Sequence, residues 1–347
     1  MPWIAKGRRY VSLTTMAEDS FIDDGGISYE IPNDEVAGLK SPQVQRVGNT
    51  FCDNADIVTR LLALPLTLLT IGESNRNRFL FLAEQLIVQH GRLKASGFSK
   101  EAYSEVDNEA ERRYEEVTAQ DPNFDAVKSA KAMLRKMATC EDLRRPVQAL
   151  LYTSAVYIWS ALECALKDAW IEAVNLLPFP FGHRSLLRVP KESTVEGISS
   201  KQVSVGLLAK HGFDVRDKLG TILAEKYDFT GTEGIRVAYA AAFGKEQSIE
   251  SVLSSIPLRR LEAIRHLIAH RAGLVDREFV RRTGETHPIG GPLPVDMKTL
   301  CELFNVASST AITVLTFVDD KIASGGAAEV SGDTQAICSA ENNNAKS

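Results

Sequence analysis

No two of the five cysteines, Cys52, Cys140, Cys164, Cys301 and Cys338, fall at Cys-x-x-Cys spacing. Their number is odd and their gaps are wide, which argues against a disulfide framework and for reduced thiols. The residues after Met1 contain no apolar core of a secretory leader. The most apolar run, residues 61–72, is too short to cross a bilayer and contains Pro65. A buried helix is expected there, in a cytoplasmic protein with no membrane partner. Sustained alternation of apolar and polar residues is missing, so strands are not expected. There is no internal repeat and no glycine-rich phosphate loop. Charge of one sign is also missing: the formal net charge is -5, which excludes a general polyanion binder.

What the chain does have is helical period. At 347 residues and 44 % apolar content it can build a sizeable core. Residues 1–50 lack a sustained period and read as a partly disordered arm, with a short strand near 27–31. A helical region follows over 51–140. In it Ile57, Leu61, Leu64, Leu68 and Ile71 recur at three- and four-residue spacing, and Phe79, Leu82, Leu86 and Ile87 mark the inner side of a second helix over 75–93. Two further helices are expected over 101–119 and 125–139. The strongest signals lie in 141–322: a long helix over 144–177, a loop over 179–195, shorter helices over 203–210, 215–227 and 234–243, and a last long helix over 295–322. Residues 323–347, rich in Gly, Ser, Ala and Asn, read as a disordered tail. The expected fold is all-α, an antiparallel helical bundle with an additional N-terminal helical region.

One stretch, residues 256–276 (IPLRRLEAIRHLIAHRAGLVD), organises the rest. Ser255 is placed to cap a helix, Pro257 sits in its first turn, and Gly273 supplies the stop. Leu261, Ile264, Leu267 and Ile268 form an apolar stripe roughly 120° wide. The opposite face carries Arg265, Ala269, Glu262, His266 and His270. A face that only has to stay wet more often uses Lys and Glu. Around it, residues 256–284 hold seven arginines (259, 260, 265, 271, 277, 281, 282) against Glu262, Asp276 and Glu278, a local basic patch able to meet phosphates. Asp276 is placed to cap a short helix through Arg282, and Thr232 to cap the helix before it. Glu163, beside the stripe of the helix over 144–177, is either a solvated neighbour or a partner reaching across to the organising helix.

The string from Arg265 to His270, Arg-His-Leu-Ile-Ala-His, resembles the Arg-x4-6-His motif of the HEPN superfamily (higher eukaryotes and prokaryotes nucleotide-binding). Arg271-Ala-Gly-Leu-Val-Asp276 resembles the common continuation, a glycine break leading into an acidic residue. Many members carry a polar residue, often Asn, after the arginine; here it is His266. Arg259 and Arg260 meet the same spacing with His266, and the glycine and aspartate that follow favour Arg265 with His270. Arg281 and Arg282 meet it with His287, but that stretch crosses Gly284 and runs into Pro288, where a helix is not expected. The resemblance covers residues 140–322.

It implies a metal-independent RNA endonuclease acting on single-stranded RNA, without cofactor. His270 serves as general base on the ribose 2′-OH or as acid on the leaving 5′-oxygen. Arg265 stabilises charge on the phosphoryl oxygens. His266 positions the phosphate or supports the base, and Glu262, Glu163 and Arg271 are supporting residues. It also implies a homodimer with opposed Arg/His faces. Many members are toxins with a neutralising antitoxin or regulatory partner, or act in defence. Three other readings stay open: a non-catalytic HEPN-like module for dimerisation, nucleotide or partner binding; a two-histidine zinc site at His266 and His270, although Leu267 stands where a zinc protease carries glutamate; and an unrelated helical protein with surface histidines.

Overall fold

The computed structural model describes residues 31–120, 125–138, 141–187, 205–213, 215 and 217–328. The described residues form helices joined by turns and loops and hold no strand; one isolated antiparallel bridge joins Leu274 and Pro292. The protein is all-α. It divides into two compact units: residues 59–150 form one, and residues 31–58 with 151–328 form the other.

The helices run in chain order as α1 (Asn33–Ala37), α2 (Pro42–Val88), α3 (His90–Ala95), α4 (Lys100–Gln120), α5 (Ala126–Ala138) and α6 (Glu141–Leu176). A wide turn at Pro178–Gly182 leads to α7 (His183–Leu187), α8 (Val205–Lys210), α9 (Leu219–Ala224), α10 (Thr232–Phe243) and α11 (Gln247–Leu253). The chain continues through α12 (Ile256–Arg271), α13 (Arg277–Thr283) and α14 (Met297–Ala328). The stretch expected as a loop after α6 is therefore helical as far as Leu187, and its remainder lies outside the described residues, as does the strand expected near 27–31 except for Ile31.

Helix α2 departs most from expectation. It begins at Pro42, inside the segment read as an arm, and continues through Pro65 without the break expected near residue 73. Its start is fixed by Asp319 of α14, whose carboxylate accepts from the backbone N–H groups of Ser41 (2.7 Å) and Lys40 (2.9 Å), donors that a helix start otherwise leaves unpaired. An interior proline removes one backbone hydrogen bond and crowds the carbonyl four residues earlier, yet α2 runs on through Pro65. The helix also turns the other way round. Ile57, Leu64, Leu68 and Ile71, expected inward, are 46–59 % exposed, and Phe79 and Ile87 are exposed as well. The buried face is Phe51, Ala55, Val58, Leu62 and Leu66. Apolar residues on both sides explain why α2 has an apolar window of mean hydropathy 1.5. Windows in 145–176 and 297–325 reach 1.4, so three helices are long and apolar enough to cross a membrane by length and composition.

The inversion makes a direct prediction. Leu66→Ala removes a fully buried side chain and is expected to cost about 2–5 kcal/mol. Leu68→Ala removes an exposed one and is expected to stay within about 0.5 kcal/mol of wild type. Urea denaturation of the two variants measures the difference; equal losses would restore the original facing.

In the second unit α6 and α14 each bury one apolar stripe. Leu151, Ile158, Leu162, Leu166 and Val174 of α6 are buried, as are Leu300, Leu303, Phe304, Ala307, Ala311, Val314, Leu315 and Val318 of α14. Two aromatic anchors tie α6 to α10: the Trp170 indole donates to the Ala238 carbonyl (2.9 Å), and the Tyr239 hydroxyl donates to the Leu166 carbonyl (2.7 Å). Helix α14 does not stop at residue 322. It continues to Ala328, held late in its course by Lys321, which pairs with Glu246 at 2.6 Å. The first residues of the expected tail are thus helical, and 329–347 lie outside the described residues.

Candidate active site

Helix α12 carries the candidate site, and its ends are set by chemistry visible in the chain. The Ser255 hydroxyl accepts from the Leu258 N–H at 3.4 Å, and Pro257 stands in the first turn. Leu258, Leu261, Ala263, Ile264 and Leu267 are buried, so the inward face is fixed; α12 packs on α10, α13 and α14. The helix ends with Ala272 and Gly273 in the left-handed region (φ 53° and 79°). Asp276 then accepts from the Phe279 N–H at 2.8 Å and starts α13. The loop after α13 closes back over this corner. Leu293 N–H donates to the Gly273 carbonyl (2.8 Å), and the Tyr152 hydroxyl donates to the Leu293 carbonyl (2.6 Å).

On the outward face His266, Ala269 and His270 are exposed within about one turn of helix. The rings of His266 and His270 lie 4.5 Å apart between centroids and are tilted by 46°. Partial burial, then His270, with Arg282 and Arg265 beyond it, holds the His266 imidazole below its usual range, and Asp276 opposes them weakly. A positive charge on His270 so close disfavours a second one on His266.

Lowered basicity fixes a sign. An unfolded histidine titrates near 6.5. Because the folded His266 binds its proton less readily, its contribution to stability is complete above that pH and is lost as pH falls through the lower folded value. Proton NMR is expected to give His266 a midpoint below 6.5; a midpoint above it would mean the charges around the ring are misassigned.

Arg265 lies at the edge of this face and turns inward. Its side chain is only 17 % exposed, its Cζ sits 5.3 Å from the centre of the Trp159 ring, and Nη2 lies 3.6 Å from Glu163 and donates to the Thr230 carbonyl. Nε is enclosed without a partner. Glu163 also accepts from the Trp159 indole at 2.9 Å. Glu163 is therefore a partner of the organising helix, and Arg265 is bound into the join between α6 and α12.

Glu262 accepts from the Thr232 hydroxyl at 2.6 Å and pairs with Arg282 of α13 at 3.2 Å. Thr232 is thus a bonding partner of α12 and not the cap of α10, whose N-cap is Gly231. Arg271 is exposed, with Asp276 at 3.5 Å. His287, in the loop, bonds Glu285 at 2.8 Å, and Glu285 in turn holds Arg260. Those two residues lie in a separate charged cluster.

The structure thus brings together Glu262, Arg265, His266 and His270, joins Glu163 to them, and leaves Arg271 at the rim. Sequence reasoning missed Trp159, Thr230, Thr232 as a partner, and Arg282. For Arg282 a signal existed. The cap at Asp276 and the stop at Gly284 mark a two-turn helix that ends with Arg281 and Arg282 in its last turn, within reach in sequence of the helix it follows. Among the described residues no group of three His, Cys, Asp or Glu side chains is placed to hold a metal ion. No protein-family model, no curated protein and no solved structure matches this chain.

Proposed function

We propose that this protein is a metal-independent endonuclease of HEPN type that cuts single-stranded RNA through attack by the ribose 2′-OH. The observation that carries the reading is the exposed His266–His270 ring pair, 4.5 Å apart, beside guanidinium groups on α12 and α13. A phosphoryl transfer of this kind needs a base for the 2′-OH, an acid for the leaving 5′-oxygen and positive charge at the phosphate. Two adjacent imidazoles supply the first two, with His270 as the base or acid in proton transfer and His266 beside it. Single-stranded RNA suits the site because in-line attack requires a backbone free to unstack.

A homodimer completes the proposal. Ala269, exposed on the same face and small, lets a second copy approach closely, placing two histidine pairs in one cleft. A second reading, a non-catalytic module that binds nucleotides or a partner, is favoured by one observation: Arg265, the motif arginine, is tied to Glu163, Trp159 and Thr230. Incubating the purified protein with labelled single-stranded RNA, with and without EDTA, tests the proposal. Cleavage unaffected by EDTA is expected. RNA bound but uncut would favour the binding module, and cleavage only with added metal would favour the zinc site. Light scattering on the active sample tests assembly, with an active monomer refuting the dimer.

A further inference from the structure

We propose that Arg282, not Arg265, is the guanidinium that meets the substrate phosphate, and that Arg265 is a positioning residue for α12; the assignment rests on the endonuclease reading. A guanidinium meets a phosphate through a planar pair of N–H donors that must be free to turn toward it. Arg265 lacks that freedom. One face lies on Trp159, Nη2 serves Glu163 and the Thr230 carbonyl, and Nε is enclosed. Swinging out to the histidines would leave Glu163, 27 % exposed, without its cation.

Arg282 has the opposite character. Its side chain is 32 % exposed, and its one ion pair among the described residues is with Glu262. Its pair with Glu262, one turn from His266 on α12, puts it at the face that carries the ring pair. Glu262 is itself held by Thr232 at 2.6 Å, so the carboxylate orients the guanidinium from behind and leaves its remaining donors for an incoming anion. Arg271 is exposed too, but it stands past His270 at the end of α12, against Asp276. The preceding turn of α13 carries Glu278, which engages Arg281 at 2.6 Å within α13 itself, whereas the partner of Arg282 is Glu262 on α12.

The test reads binding separately from cleavage. A single-stranded 2′-O-methyl RNA oligonucleotide, which cannot attack its own phosphate, is titrated by fluorescence anisotropy over a range of salt. For single strands each phosphate contact contributes about 0.7 to the slope of log affinity against log salt. Arg282→Ala is expected to reduce the slope by about that amount. On unmodified RNA it is expected to lower kcat about 10²–10³-fold, the loss typical of one charge-stabilising group. Arg265→Lys is expected to leave the slope unchanged and to lower the melting temperature. Should Arg282→Ala not fold, Arg282→Gln keeps a donor for Glu262 without the charge and carries the same expectation. A wild-type slope in the Arg282 variant, a slope lost in Arg265→Lys instead, or no binding by the wild type overturns the proposal. Binding without cleavage by the wild type defeats the endonuclease reading alone, because the slopes still assign the phosphate contact.

Discussion

His270→Ala is expected to reduce RNA cleavage about 10²–10⁴-fold, the usual cost of losing a positioned acid or base. The variant is expected to unfold at close to the wild-type temperature. Both halves follow from placement. The imidazole is exposed, its described neighbour is the His266 ring, and the residues that hold α12 in place are on the other side of the helix. Exposed substitutions of this kind stay within about 0.5 kcal/mol. Thermal unfolding and initial rates measured on one preparation separate the outcomes. A sharp fall in melting temperature with little loss of rate would make His270 a structural residue.

Gly273→Ala is expected to damage the fold near the site severely. Two penalties coincide there. The backbone sits at φ +79°, where a side chain costs roughly 1–2 kcal/mol. An added Cβ would lie 2.2 Å from a ring carbon of Tyr152, an overlap that requires repacking at about 1–3 kcal/mol. The combined loss is expected at roughly 2–5 kcal/mol, read as a lowered urea midpoint. Gly284→Ala is the control. Its φ is +72° but nothing lies within 4 Å of the added carbon, so only the backbone penalty of about 1–2 kcal/mol applies. Equal losses in the two variants would remove the Tyr152 contact from the account. Because Gly273 turns the chain from α12 into α13, this glycine also determines where Arg282 falls relative to Glu262.

The all-α class was legible because the long helices announce themselves through period and through their ends. Ser255, Asp276 and Gly273 do in the structure what their chemistry implied. Helix α14 was read with its buried stripe intact because its other face is polar enough to leave one choice. Helix α2 was misread for the converse reason. Val58, Leu62 and Leu66 interleave with Ile57, Leu61, Leu64 and Leu68, so period finds two apolar stripes and cannot say which one the core takes. Tertiary packing decides that.

The candidate site divides along the same line. Glu262, His266 and His270 share a face by helical geometry alone. Arg265 sits at the margin between polar and apolar faces, where a helical wheel does not separate a side chain in water from one lying on Trp159. The Glu163 contact, the Thr232–Glu262 bond and the return of Arg282 over α12 depend on which helices meet, and each joins residues at least 20 positions apart.

The chemistry of the product ends tests the central claim most directly. A defined single-stranded RNA, cut in the presence of EDTA and analysed by mass spectrometry, is expected to yield a 2′,3′-cyclic phosphate on one fragment and a 5′-hydroxyl on the other. Those ends require the ribose 2′-oxygen as nucleophile and a proton donor at the leaving oxygen, the two tasks assigned to the His266–His270 pair. Fragments ending in a 3′-hydroxyl and a 5′-phosphate, or cleavage that EDTA abolishes, would contradict it.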